Sequence, residues 1–294
     1  MDLRSRVRVI SVALCMGVTG GAAEVAEVQM VRSKSEEVPL LNVHIGAGLE
    51  GSAGDHLDLG HMFPYHIRGE INHPRGTIHA ALLNQFFSRV DVDEFDNSPE
   101  NSSSYEVGLE LYLWMRETRD RTRVTIPVAR YFVAPGVQRK MLVLRAGYFD
   151  RTRSTIIGKR RDGHKDYCYA GKLESSGYYL GLGHKVNERS SYDVESRLWS
   201  GRASRARIRN YGLDLLFGEP DVIGDTPDTY RPVEVKTSDL GARLWVGRLD
   251  YDYDSNKSSL WMGMELGKRP GFANDWYGNI TVGMGFSGGS VRLR

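Results

Sequence analysis

From about residue 40 onward, aliphatic residues fall on one parity and charged residues or glycine on the other. In residues 105–115, Val107, Leu109, Leu111 and Leu113 share one face, while Glu106, Gly108, Glu110 and Tyr112 share the other. A period of two means a strand whose two faces meet different environments. The rhythm recurs at 140–149, where Leu142, Leu144, Ala146 and Tyr148 oppose Val143, Arg145, Gly147 and Phe149. It recurs at 178–185, where Tyr178, Leu180 and Leu182 oppose Tyr179, Gly181, Gly183 and Lys185, and again in 240–248 and 260–267. Strands are predicted at about 40–50, 57–67, 76–90, 105–116, 122–134, 139–150, 167–175, 177–187, 191–202, 205–217, 233–253, 258–267 and 276–286. Residues 24–39 are polar, with Val25, Val28 and Val31 at a three-residue spacing that permits a linker or short helix before Pro39.

Two architectures satisfy such alternation. A soluble sandwich buries the aliphatic face and wets the charges; a membrane barrel turns the aliphatic face to lipid and the charges to its lumen. The second face here is polar or tiny throughout, and 33 glycines are many for a sandwich, since glycine inside strands marks bends and close approaches. The N-terminus also bears on the choice. Arg4, Arg6 and Arg8 precede an apolar run from Val9 to Val18, then small residues from Gly20 to Ala23, the order of a signal peptide over residues 1–23. Cys15 lies in that run without a lipoprotein box around it, and its removal leaves Cys168 alone, so no intrachain disulfide is expected. No later stretch is apolar for about 18 residues, so strands rather than a helix would cross a membrane.

The fold expected is therefore all-β, a closed antiparallel transmembrane β-barrel of about twelve strands over residues 40–294. Its lumen would be lined by Glu106, Glu110, Asp193, Glu195, Asp214 and Glu265 against Arg145, Arg197 and Arg243. Aromatic residues near strand ends, among them Tyr148-Phe149, Tyr178-Tyr179, Trp199, Phe217, Tyr251, Tyr253 and Trp276-Tyr277, fit interfacial girdles. Residues 150–166 and 219–232 are expected as long polar loops, and Pro135-Gly136 as a tight turn.

Charge and chemistry narrow the function. With 39 Lys+Arg against 37 Asp+Glu, the mixed charge does not point to nucleic acid. Six of eight histidines fall between His44 and His79, but the spacing of His61, His66, His73 and His79 matches no zinc motif, and neither a metal nor a cofactor is expected. No His-x-Ser places a base two residues from a hydroxyl on one strand face, so no catalytic pair is assigned. His184 reads as interfacial. Arg205, Arg207 and Arg209 form a basic ladder, open to lumen carboxylates, lipopolysaccharide phosphates or solvent alone.

The segments SGYYLGLGHKVNERSSYDVESRLW and TYRPVEVKTSDLGARLWV, with Val235, Ser238 and Gly241-Ala242-Arg243, and the ending GFSGGSVRLR, resemble the translocator barrel of autotransporters. That resemblance implies twelve strands, a helix through the pore and carriage of an N-terminal passenger, although about 16 residues between the signal and the first strand are few for a passenger domain. The ending admits two registers. Ile280, Val282, Met284 and Phe286 form an alternating face finished by an aromatic, an assembly signal; alternatively Val291 and Leu293 continue the alternation toward a position past Arg294. The expectation is an exported outer-membrane barrel that contacts outer-membrane lipids, lipopolysaccharide and the barrel assembly machinery, acting as a passive translocator-like barrel or narrow channel. A lipid-modifying enzyme and a soluble secreted β-sandwich are the alternatives.

Overall fold

The computed structural model describes residues 9–12, 25–53, 64–85, 94–95, 102–127, 131–163, 165–273 and 276–294. Ten strands form a ring: β1 (Leu41–Ala53), β2 (Pro64–His73), β3 (Gly76–Gln85), β4 (Ser102–Thr125), β5 (Tyr131–Asp162), β6 (Lys165–Glu195), β7 (Ser200–Ile223), β8 (Leu240–Tyr251), β9 (Ser259–Lys268) and β10 (Trp276–Gly288). Each pairs antiparallel with its neighbours in the chain. The ring closes where β10 meets β1, with Trp276 opposite Ala53 and Gly288 opposite Leu41. This is an up-and-down barrel.

The aliphatic parity faces outward. Ile45, Ile78, Leu109, Leu180, Leu213, Leu244, Leu266 and Ile280 are between 41% and 63% exposed and form a belt around the ring. A continuous apolar surface of this kind belongs in lipid, not water. The sandwich is thereby excluded, because the face that would form its core is on the outside. A charge at mid-belt should be costly: Leu213→Arg is expected to lower stability in lipid vesicles by about 2–4 kcal/mol, read from urea unfolding. The same change at Leu198, in the turn after β6, should leave the midpoint nearly unmoved.

The strands number ten rather than about twelve because several predicted segments run together. Residues 167–175, 177–187 and the start of 191–202 are all β6, and 105–116 continues into 122–125 within β4. β5 and β6 contain 32 and 31 residues, roughly 100 Å at about 3.3 Å per residue, whereas a bilayer crossing needs about 9–11 residues. They therefore project beyond the belt at both ends. Alternation reports a strand but not where lipid stops.

Three local expectations change for the same reason. The stretch expected as a loop over 150–166 is not one: residues 150–162 are the upper end of β5 and residues 165–166 that of β6, with a turn at Gly163, whose φ of 62° suits glycine. Pro135-Gly136 lies inside β5, opposite Arg121 and Asp120, rather than in a turn. Residues 219–223 complete β7, and the segment after it straps back over β5, with Val233 N donating to Ile157 O at 2.8 Å and the Tyr169 and Tyr230 rings 5.5 Å apart.

At the lower end, Val25–Ser33 is a strand, not a helix, and pairs with β6 so that Val28 lies opposite Val194. Its buried Ala26 and Val28 pack with Val124, Phe132 and Tyr192, a tertiary contact that outweighs the loose spacing. The segment expected as a signal peptide lies outside the described residues apart from the backbone of Val9–Val12, which pairs with residues 25–28. The lower mouth is filled by Glu37–Val38 paired with Val291–Arg292. Buried Val38 and Leu293 join Met141, Val143, Ile208, Leu249, Tyr251 and Trp261 in an apolar cluster on the inward parity.

Candidate functional site

The inward parity carries a network of charges through the middle of the barrel. Asp214 on β7 is fully buried between two guanidinium groups, Arg145 Nη1 of β5 at 2.5 Å and Arg243 Nε of β8 at 2.7 Å. Arg243 also donates to Glu106 of β4, at 2.5 Å from Nη1 and 2.9 Å from Nη2. Since β4 and β8 stand four places apart in a ring of ten, this contact crosses the lumen. Toward the lower mouth, Lys185 Nζ of β6 donates to Glu110 of β4 at 3.0 Å and to Thr77 of β3 at 3.2 Å. Arg145 Nε is also 3.4 Å from Glu110, an ion pair without the alignment of a hydrogen bond. Toward the upper mouth, Glu50 of β1 accepts from Arg153 of β5 and from Arg269, just past β9, each at 2.5 Å. Arg68 and Glu70 pair along β2 at 2.8 Å.

Inward aromatic rings lie across strand glycines. A Cβ at Gly108 would overlap the Tyr179 hydroxyl, and one at Gly147 would overlap the Tyr179 ring. One at Gly212 would meet Trp245 at 2.8 Å, and one at Gly263 would meet Trp261 at 2.9 Å. Tyr179 is a hub: its hydroxyl is 3.0 Å from His79 Nε2, and Arg145 and Arg243 lie 5.5 and 4.7 Å from its ring centre. The strand glycines thus serve as floors for flat rings.

Of the expected lumen residues, Glu106, Glu110, Arg145, Asp214 and Arg243 converge in this network. Glu265 joins them at the edge, 3.3 Å from the Tyr277 hydroxyl and 3.9 Å from Arg243. Asp193, Glu195 and Arg197 do not. Asp193 pairs with Arg202 at 3.0 Å on the exposed lower extension, Glu195 ends β6 in solvent, and Arg197 is exposed in the turn that follows. Their parity is polar because water, not a lumen, surrounds that part of the strand.

Ile280, Val282, Met284 and Phe286 share the outward face of β10, at 54%, 45%, 73% and 77% exposure. The strand ends at Gly288, and Val291 and Leu293 turn into the lower mouth rather than extending that face. The girdle is real only in part. Tyr105, Tyr148 and Tyr178 form an outward row, with ring centres 5.9 and 5.5 Å apart, and Phe217 and Trp276 also face out. Phe149, Tyr179, Tyr251, Tyr253 and Tyr277 are buried inside.

Sequence reasoning passed over Glu50, Arg68, Glu70, His79, Arg151, Arg153, Tyr179, Lys185 and Arg269. Parity alone placed Lys185 and Tyr179 on the inner face; Arg151 and Arg153 were hidden by reading 150–166 as a loop. His44 Nε2 and Ser259 Oγ are 2.9 Å apart, and His66 borders the lumen cavity, while His56 and His61 lie outside the described residues. Among the described residues no three His, Cys, Asp or Glu side chains are grouped to hold a metal ion. His184 faces out and stacks on Tyr211 at 5.0 Å. Arg205 pairs with Glu188 at 3.0 Å, Arg207 bonds Asp250, and Arg209 is exposed.

No family model matches the chain, and no curated protein matches it. Among solved structures it is similar to a loop L8 deletion mutant of OmpT, an outer membrane protein of Vibrio cholerae, at 8% identity over 84% of this chain and 99% of that one, with a TM-score of 0.21. It is also similar to the CymD monoaromatic hydrocarbon channel, at 7% identity over 87% and 89% with a TM-score of 0.23. Outer-membrane expressed OmpT of Vibrio cholerae matches at 7% identity over 88% and 99%, with a TM-score of 0.22. Likenesses this faint carry no inference about activity.

Proposed function

We propose that the protein is a passive barrel of the outer membrane of a double-membraned bacterium, closed at rest by its own lumen side chains. The observation that carries this reading is the chain of contacts from Arg145 through Asp214 and Arg243 to Glu106, which links β5, β7, β8 and β4 across the interior. An open diffusion pore needs a continuous wet path, and buried guanidinium and carboxylate groups fixed to one another across the interior obstruct it at that level. In this reading the outward face of Ile280, Val282, Met284 and Phe286 serves as the assembly signal, lipids and lipopolysaccharide contact the belt, and no reaction is assigned to the barrel.

Planar bilayers test it. The wild-type protein should insert without steady current, whereas Arg243→Ala, which takes the guanidinium from Glu106 and one of the two from Asp214, should give discrete conductance steps. A steady open current from the wild-type protein would overturn the closed state in favour of a narrow channel. Fractionation into soluble periplasm rather than outer membrane would remove the reading altogether.

A further inference from the structure

Each lumen cation named so far has a carboxylate within reach except Arg151. It sits inward on β5 near the upper mouth and is 7% exposed. Its Nε donates to Ser104 Oγ at 3.2 Å, its guanidinium lies 4.9 Å from the centre of the Phe149 ring, and its Nη1 has no partner among the described residues. The lumen carboxylates on this side are already engaged: Glu50 by Arg153 and Arg269, Glu106 by Arg243, and Glu265 by the Tyr277 hydroxyl and, at 3.9 Å, by Arg243. Arg151 borders a cavity of about 90 Å³ shared with Arg243, Arg269, Glu265, Trp245 and Trp261. A smaller gap beside it holds Ser175, whose buried Oγ is likewise without a partner.

A buried cation without counter-charge is expensive, by several kcal/mol, and water satisfies its N–H groups without neutralising it. We propose that this cavity binds one small oxyanion, a carboxylate or phosphate group, held by the Arg151 guanidinium. Guanidinium is suited to the task because its two parallel N–H groups match two oxygens of such an anion. The space is adequate, since on the order of 10–15 Å³ of such volume accommodates one water. The site does not depend on whether the barrel conducts, because it requires access only from the upper mouth.

Trp245 and Trp261 line the same cavity, so intrinsic fluorescence reports its occupancy. The full chain, folded in an uncharged, phosphate-free detergent, is titrated with sodium acetate, inorganic phosphate or sodium chloride at fixed ionic strength. A saturable change with acetate or phosphate, beyond that with chloride, is the expected result. Arg151→Gln should weaken the apparent Kd by tenfold or more, and Arg151→Glu, which supplies its own carboxylate, should abolish the response while retaining heat-modifiable migration on a gel. The proposal is overturned if the wild-type protein shows no saturable change or if all three proteins titrate alike. A response to micelles of a short-chain phosphatidic acid but not to free phosphate would overturn it too, by assigning the contact to a lipid headgroup.

Discussion

Asp214→Asn is expected to lower the stability of the folded barrel by about 3–5 kcal/mol, the usual cost of removing one member of a buried ionic group. The reason is specific to its position. Asp214 is the carboxylate that Arg145 and Arg243 share, and an amide in its place leaves two guanidinium groups facing each other with one charge fewer between them. The urea midpoint in detergent micelles measures the loss. A second substitution makes the test sharper: Arg145→Gln in the same chain should recover part of the stability, since it removes one of the two guanidinium charges that Asp214 had shared. If Asp214→Asn is as stable as the wild-type protein, the network is not a structural closure of the lumen.

The other large effect concerns Tyr179. Truncation to alanine should cost about 3–5 kcal/mol, as for buried aromatic residues in general, because the ring fills the space over Gly108 and Gly147 and its hydroxyl meets His79. Gly108→Ala should cost about 1–3 kcal/mol by overpacking against that hydroxyl. Combined, the two should cost at least about 1 kcal/mol less than their sum, because the new methyl group occupies room the ring has vacated. Strict additivity would mean that Tyr179 and Gly108 do not touch in the folded protein. Chemical denaturation of the four proteins, wild type included, provides the cycle.

Much of the wall was legible from the sequence, and rather less of what fills it. The parity of Leu109, Leu180, Leu244 and Leu266 marked the outward face, and the opposite parity is the one on which Glu106, Glu110, Arg145, Asp214, Arg243 and Glu265 come together. The same rule failed for Asp193, Glu195 and Arg197, because β6 runs on below the belt and a period of two carries no marker of where lipid ends. It missed Arg151 and Arg153 for the converse reason: a polar run at the top of a very long strand reads like a loop. Tyr179 and Tyr277 were drawn to the interface by their chemistry, although their odd parity put them inside with Lys185 and Glu265. Which carboxylate meets which guanidinium was beyond any reading of the chain, since those partners are brought together by ring closure between segments as distant as Glu106 and Arg243.

The seam between β1 and β10 has a kinetic consequence. Every other strand of the ring finds its partner next to it in the chain, at small cost in loop entropy, but Leu41 and Gly288 must meet from opposite ends of the barrel domain. The ring therefore stays an open sheet until β10 is in hand, and just past β10 Gly289, with its φ of 63°, turns the chain so that Val291 and Leu293 reach Val38. The lower mouth is latched by the very residues that follow the final strand, so the plug at the base and the seam along the side are made by one continuous stretch of chain.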